Sequence, residues 1–285
     1  MLWLGALILD ALFGGRKALG AMPSFDDLSQ VSLSFLRKRL ERENRSARAH
    51  HWRGLISVFV LVPIAIWLGL LLNAMVFWYT ATATIAAVIL AQVLATKLSW
   101  QSAESLARGG DSTARRQAVE TLLATYAHSI IPSLLLFLVG GFALLFPYRM
   151  LLVADTVAAS SGKPSAYLRP FIVARRLFGS PGELLATVFI LFSSILMPRA
   201  YVLQSVKTLL KTKQKIRHGT TAVVAGAFNM SLQMNGGATK TIWIGPQNGT
   251  AKISQEACRH ALIVALVAFA VSIAFLLVLL VAATK

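Results

Sequence analysis

Glu120 and Asp155 are the residues of this chain best placed to do chemistry. The sequence holds only 11 acidic residues among 285, and each of these two lies beside an apolar run. An ionisable group next to hydrocarbon is expensive to keep and is a functional hypothesis by default. A carboxylate in such a place can hold a divalent cation or move a proton. The competing reading is structural. Glu120 pairs with Arg116 one helical turn earlier, a weak but favourable order, and Asp155 pairs with Arg149 or another arginine. Asp10, inside a short apolar stretch near the start of the chain, carries the same two readings with more weight on the structural one.

Other candidates are weaker. Asn235-Gly236-Gly237-Ala238-Thr239-Lys240-Thr241 looks like a phosphate loop but fails the G-x-x-x-x-G-K-[ST] pattern, and no apolar strand leads into it. It reads as a glycine-rich loop. The five histidines (His50, His51, His128, His218 and His260) show no HxxH or HExxH spacing. His50 and His51 are adjacent, and adjacent helical side chains point about 100° apart, a poor chelating geometry. Cys258 is the single cysteine, so neither an intrachain disulfide nor a thiolate cluster can form. The sequence points to no metal site.

The elements that must position these residues are membrane helices. The chain is 56% hydrophobic and only 14% charged, with a mean hydropathy of +0.66. Soluble chains carry about 25% charge, so a soluble or disordered protein is excluded. The net charge of +17 is explained by basic cytoplasmic loops lying against anionic lipid rather than by nucleic acid.

Residues 2–14 are apolar, too short to cross, and have no basic residue before them, so no cleavable signal peptide is expected. Residues 16–53 hold nine basic and four acidic residues. Within them, Phe35–Arg42 reads as a basic amphipathic helix, either along a headgroup surface or simply solvated. Residues 55–75 are the first clear span, with Pro63 inside it. Residues 76–98 are a second apolar run; Asn73, Trp78 and Tyr79 fall between the two, the aromatic residues fitting the interface belt, and 55–98 is expected to be a helical hairpin. Ser112 or Thr113 is expected to cap the helix that carries Glu120. Residues 129–147, split by Gly140-Gly141 and bounded by Pro132 and Pro147, suit a broken or re-entrant element, tolerated only where buried or lining a cavity. A re-entrant 129–147 also returns the basic 148–183 loop to the cytoplasm, as the positive-inside rule prefers. Residues 184–197 are a further apolar run, 236–256 are glycine-rich and polar, and 260–283 are a C-terminal span. The expected fold is all-α and polytopic, a single membrane domain over 1–285 with about four to six membrane-embedded helical segments, one of them broken.

Several stretches, in order, resemble the CobD/CbiB family of cobalamin-biosynthesis membrane proteins. They are Leu9-Asp10-Ala11-Leu12-Phe13-Gly14, Met22-Pro23, Ala114-Arg115-Arg116 with Glu120-Thr121-Leu122, Pro132, Gly140-Gly141, Tyr148-Arg149, Asp155-Thr156, Ala225-Gly226-Ala227, Gly236-Gly237 and Ile244-Gly245-Pro246. The resemblance implies a multi-pass bacterial inner-membrane protein. Members attach an aminopropanol-type amine to adenosylcobyric acid as an amide, using ATP and Mg²⁺. It implies catalytic roles for Glu120 and Asp155 and substrate-binding roles for Tyr148 and Arg149.

Most of the family's polar motif residues are absent. Met22 stands where its histidine falls, Gly15-Arg16 replaces an Asp-Pro pair, and Ala124, Thr125 and His128-Ser129 fall near its other acids and amides. The residues that shape the backbone survive while those that would hold phosphate, metal and amine are lost. Two expectations follow. One is a catalytically degenerate accessory, structural or regulatory subunit with a protein partner or homo-oligomeric contacts, membrane lipid around it and no cofactor. The other is a divergent adenosylcobinamide-phosphate synthase. A carrier built on the broken helix ranks third.

Overall fold

The computed structural model describes residues 24–41, 46–78, 86–91, 100–101, 103–105, 107, 111–160, 165–212, 214–235 and 241–283. In chain order the named elements are helix α1 (Phe25–Leu40), α2 (Ala47–Trp78), α3 (Ser112–Thr125), a π-helical turn (Tyr126–Ile130), α4 (Ile131–Gly140), α5 (Phe142–Ser160), α6 (Arg169–Leu196), α7 (Val202–Lys211), α8 (Lys215–Ala227), strands β1 (Leu232–Asn235) and β2 (Thr241–Ile244), and α9 (Gln255–Ala283). The protein is an all-α polytopic membrane protein. Among the described residues, four helical runs are long and apolar enough to cross a bilayer: Ala47–Trp78, Ser112–Gly140, Arg169–Leu196 and Gln255–Leu279. α2 has 32 residues, about 48 Å of helix, which exceeds the hydrocarbon core and carries its two ends into the headgroup layers. Its Phe59, Trp67 and Phe77 side chains are left uncovered by the protein, as a lipid-facing helix requires.

The described residues fall into two compact units. The first draws on 1–98 and 139–179, the second on 99–138, 180–236 and 240–285. α6 contributes its first turns to one and the remainder to the other.

In the first unit, α2 packs along α5 through a stripe of small residues. Gly54, Ser57, Ala65 and Gly69 are its buried positions, spaced so that one face presents almost no side chain. A methyl group on Gly69 would come within 2.3 Å of the Phe142 carbonyl oxygen, so only glycine allows that approach. α1 and α5 close the core with Leu33, Leu151, Ala154, Tyr167, Leu168 and Phe171. The Tyr167 hydroxyl donates to Ser57 Oγ at 2.9 Å, and burial pushes its pKa up.

The expected hairpin needs a turn between the two apolar runs. α2 instead runs unbroken through Trp78, and of the second apolar run only residues 86–91, which are helical, are described. Asn73 lies within α2. Its Nδ2 donates to the Gly140 carbonyl at 3.3 Å and its Oδ1 accepts from Phe142 N–H at 3.1 Å. These are the backbone groups released where the chain breaks between α4 and α5. Gly141 sits in that break at φ +60°, a conformation open to glycine and costly for other residues. Within hydrocarbon every backbone polar group needs a partner, and Asn73 supplies two at once.

The break falls at the expected glycine pair, but it does not join two short half-helices. It ends a 29-residue helical run and begins the 19-residue α5.

The second unit centres on α8, buried continuously from His218 to Ala227. Gly226 lies directly against the backbone of Ser205 in α7, and Gly182 lies against Pro132. Tyr126 Oη donates to the Ala268 carbonyl of α9 at 3.2 Å. β1 and β2 form an antiparallel hairpin with Leu232 opposite Ile244 and Gln233 opposite Trp243, pairing the end of a mildly apolar stretch with a segment the sequence reads as glycine-rich and polar.

Candidate functional site

Three of the four residues singled out by resemblance lie on α5, and each is engaged inside the first unit. Tyr148 is fully buried, its ring packed over Gly179. Arg149 grips Asp26 with two nitrogens: Nε donates to Oδ1 at 3.2 Å and Nη2 to Oδ2. Asp26 is placed by the start of α1. There the Ser24 hydroxyl accepts from Asp27 N–H at 3.2 Å while Asp27 Oδ2 accepts from Ser24 N–H at 3.0 Å. This capping box fixes the first turn, where an acid is also favoured by the helix dipole. Asp155 is held by Arg175 of α6, with Nε to Oδ2 at 2.9 Å. Arg175 is 1% exposed.

Of the two structural partners foreseen for Asp155, the fold uses the second, an arginine other than Arg149. Six residues of helix turn the two side chains about 120° apart, so Arg149 and Asp155 face different neighbours.

Glu120 belongs to the second unit. Asp111, not Ser112 or Thr113, caps its helix, accepting from Thr113 N–H at 3.1 Å and Ala114 N–H at 2.9 Å. Glu120 Oε1 accepts from the backbone N–H of Gln233 in β1 and lies 3.6 Å from Arg116 Nε. The Arg116 guanidinium sits over the Trp243 ring at 5.0 Å. Because Gln233 and Trp243 are opposite each other in the hairpin, one turn of α3 docks both strands. The i−4 partner foreseen for Glu120 is present, and its role is to seat the hairpin.

Sequence reasoning missed a further pair. His128 Nδ1 lies 2.9 Å from Glu183 Oε1, and Glu183 is 3% exposed on the side chain. His128 sits in the π-helical turn, where Ile131 N–H reaches back five residues to the Tyr126 carbonyl. Pro132 explains the turn. Its ring cannot donate and would clash with the His128 carbonyl four residues earlier, so the helix widens locally. The signal in the sequence was a histidine four residues before a proline inside an apolar run; the glutamate, 55 residues on, gave none.

Outside the spanning helices, Glu41 ends α1. Burial by itself raises its pKa, but the Ser165 hydroxyl donating to it and the Arg37 guanidinium outweigh that and hold it below the usual carboxylate range.

Among the described residues no three His, Cys, Asp or Glu side chains come together as a metal-holding group, and Cys258 is buried. Asp10, Met22-Pro23 and Gly236–Lys240 lie outside the described residues. No family model, no curated protein and no solved structure matches the chain.

Proposed function

We propose that the chain is a CobD/CbiB-like protein of a bacterial inner membrane that serves as a structural or accessory subunit of a membrane complex and does not form the cobalamin amide. The observation that carries this reading is the fully buried Arg175 against Asp155 at 2.9 Å. ATP-dependent amide formation needs acids free to hold Mg²⁺ and cations free to meet phosphate oxygens. Asp155 lies in ionic contact with Arg175, Arg149 is occupied by Asp26, and Glu120 with Arg116 seats a hairpin. The ions that chemistry would use are serving the fold.

Complementation tests this. Expressed in a bacterium that lacks its own family enzyme and is fed cobyric acid, the chain reaches the membrane and supports no cobalamin-dependent growth. Growth that disappears in Glu120→Gln and Asp155→Asn variants still present in the membrane would instead establish the divergent synthase, with ATP and Mg²⁺ as its cofactors. Extraction of the tagged chain from its native membrane in mild detergent yields a stoichiometric companion protein. A monodisperse monomer with no companion overturns the accessory reading.

A further inference from the structure

Five residues separate the end of the α6 span from the start of α7. The connection is tight: Arg199 takes a φ of 72° and Ala200 N–H returns to the Met197 carbonyl at 3.4 Å. α7 therefore starts at the membrane boundary. It presents Leu203 (81% exposed) and Leu210 (61%) outward, with Lys207 and Lys211, also exposed, one turn apart. The four fall on one helix face, leucines beside lysines, and such a face suits a headgroup layer where the apolar stems lie against lipid while the lysine heads snorkel to the phosphates.

Beside α7 lies a cleft of about 660 Å³, bounded on the other side by the Gly245–Asn248 turn. Both walls are held in place. α7 is pressed onto α8 where Gly226 meets Ser205. The turn is closed by Gly249 N–H to the Pro246 carbonyl at 2.9 Å and is tied back by Thr250 N–H to the Asn229 carbonyl at 3.1 Å. Lys207 and Lys211 line one side; Gln247 and Asn248 line the other; Tyr201 and Leu203 form an apolar flank. No acidic residue lines it, and the sequence has no Asp or Glu between Glu183 and Glu256. Glu256 is taken by Arg199 at 2.7 Å.

We propose that this cleft binds the phosphodiester headgroup of an anionic phospholipid, with Lys207 and Lys211 meeting the phosphate, the amides of Gln247 and Asn248 meeting the headgroup hydroxyls, and the acyl chains leaving over Tyr201 and Leu203. The occupant is argued from charge complementarity and from the helix's place at the end of a span. An apolar flank beside paired lysines matches a lipid, whereas a free phosphate has no use for it. The site is independent of whether the chain is catalytic.

The test uses the full chain, reconstituted in equimolar phosphatidylcholine and phosphatidylglycerol and released for native mass spectrometry. The wild type retains phosphatidylglycerol in preference to phosphatidylcholine. A lysine near a membrane surface is worth about a fivefold gain in affinity, so K207Q/K211Q lowers retention of phosphatidylglycerol about thirtyfold. Removing two exposed charges of the other unit, K38Q/R48Q, changes it less than about twofold, because separated surface charges are screened. Q247W, which keeps both lysines but fills the cleft, matches the loss in K207Q/K211Q. Equal losses in K207Q/K211Q and K38Q/R48Q, or full retention in Q247W, overturn the site. Inorganic phosphate at millimolar concentration leaves the lipid bound; displacement by it overturns the headgroup assignment in favour of a free-phosphate site.

Discussion

The two units handle charge near the membrane core differently. In the first, carboxylates meet arginines: Asp26 with Arg149, and Asp155 with Arg175. Arginine stays charged in any protein environment, so these pairs are permanent clamps that hold α1, α5 and α6 in fixed register. In the second, Glu120 also meets an arginine, but the most buried acid among the described residues, Glu183, meets a histidine on a locally widened helix turn. The contrast teaches that a buried acid near a membrane is a poor guide to chemistry until its partner is known.

The sharpest way to break this comparison is to strand the partners. Asp155→Ala leaves Arg175 buried with its carboxylate gone, and removing one member of a buried pair costs about 3–5 kcal/mol. Glu183→Ala removes the carboxylate oxygen 2.9 Å from His128 Nδ1, at about 1–3 kcal/mol, the cost of an unmade hydrogen bond. Thermal melts in detergent are expected to rank the two in that order. An equal or inverted ranking would remove the distinction between the units.

Next in size is Asn73→Leu. It replaces the amide with a larger apolar branch that can neither donate nor accept, and so frees the Gly140 carbonyl and the Phe142 N–H, at about 2 kcal/mol. Hydrogen exchange at 140–143 is expected to rise with it, and unchanged protection would mean those groups find other partners.

Glu120→Gln should cost about 1 kcal/mol, the difference between a charge-assisted and a neutral acceptor. The effect should appear as faster exchange in 232–244 with little change elsewhere. Loss of the whole second unit would show that the hairpin is more than an appendage.

The smallest expected effect is on pH dependence. The Glu41 pKa is lowered in the folded chain. Its contribution is therefore fully present above the usual glutamate value of about 4.5 and is lost as pH falls through the lower folded value. Melts taken while acidifying below that point should lose a component in the wild type that Glu41→Gln lacks. Coincident curves would mean that Ser165 and Arg37 contribute nothing there.

Much of the framework was readable before any coordinates. The apolar runs at 55–75, 129–147, 184–197 and 260–283 each fall within or across a membrane-length helix, because spanning a bilayer demands a length of uncharged sequence that little else does. The break at Gly140-Gly141 was readable because a glycine pair is the cheapest place to leave helical geometry. What went unread depended on contacts distant along the chain. Asn73 was noted only as falling between two apolar runs, because its partners lie 67 and 69 residues away. The β-hairpin was hidden by the glycines between its strands, although Thr241-Ile242-Trp243-Ile244 carries strand-forming residues. Asp111 was passed over as a cap in favour of its neighbours, a shift of one residue that composition does not resolve.

By itself, then, the sequence determined the solvent. Fifty-six per cent apolar residues, long uncharged runs and few acids leave a chain no alternative to membrane helices, because each unpaired backbone group in hydrocarbon costs several kcal/mol. Tertiary structure alone decided which charges meet. Asp155 could reach several arginines on paper and Glu183 had no visible partner at all. Helix phase and the approach of distant segments assigned one to Arg175 and the other to His128.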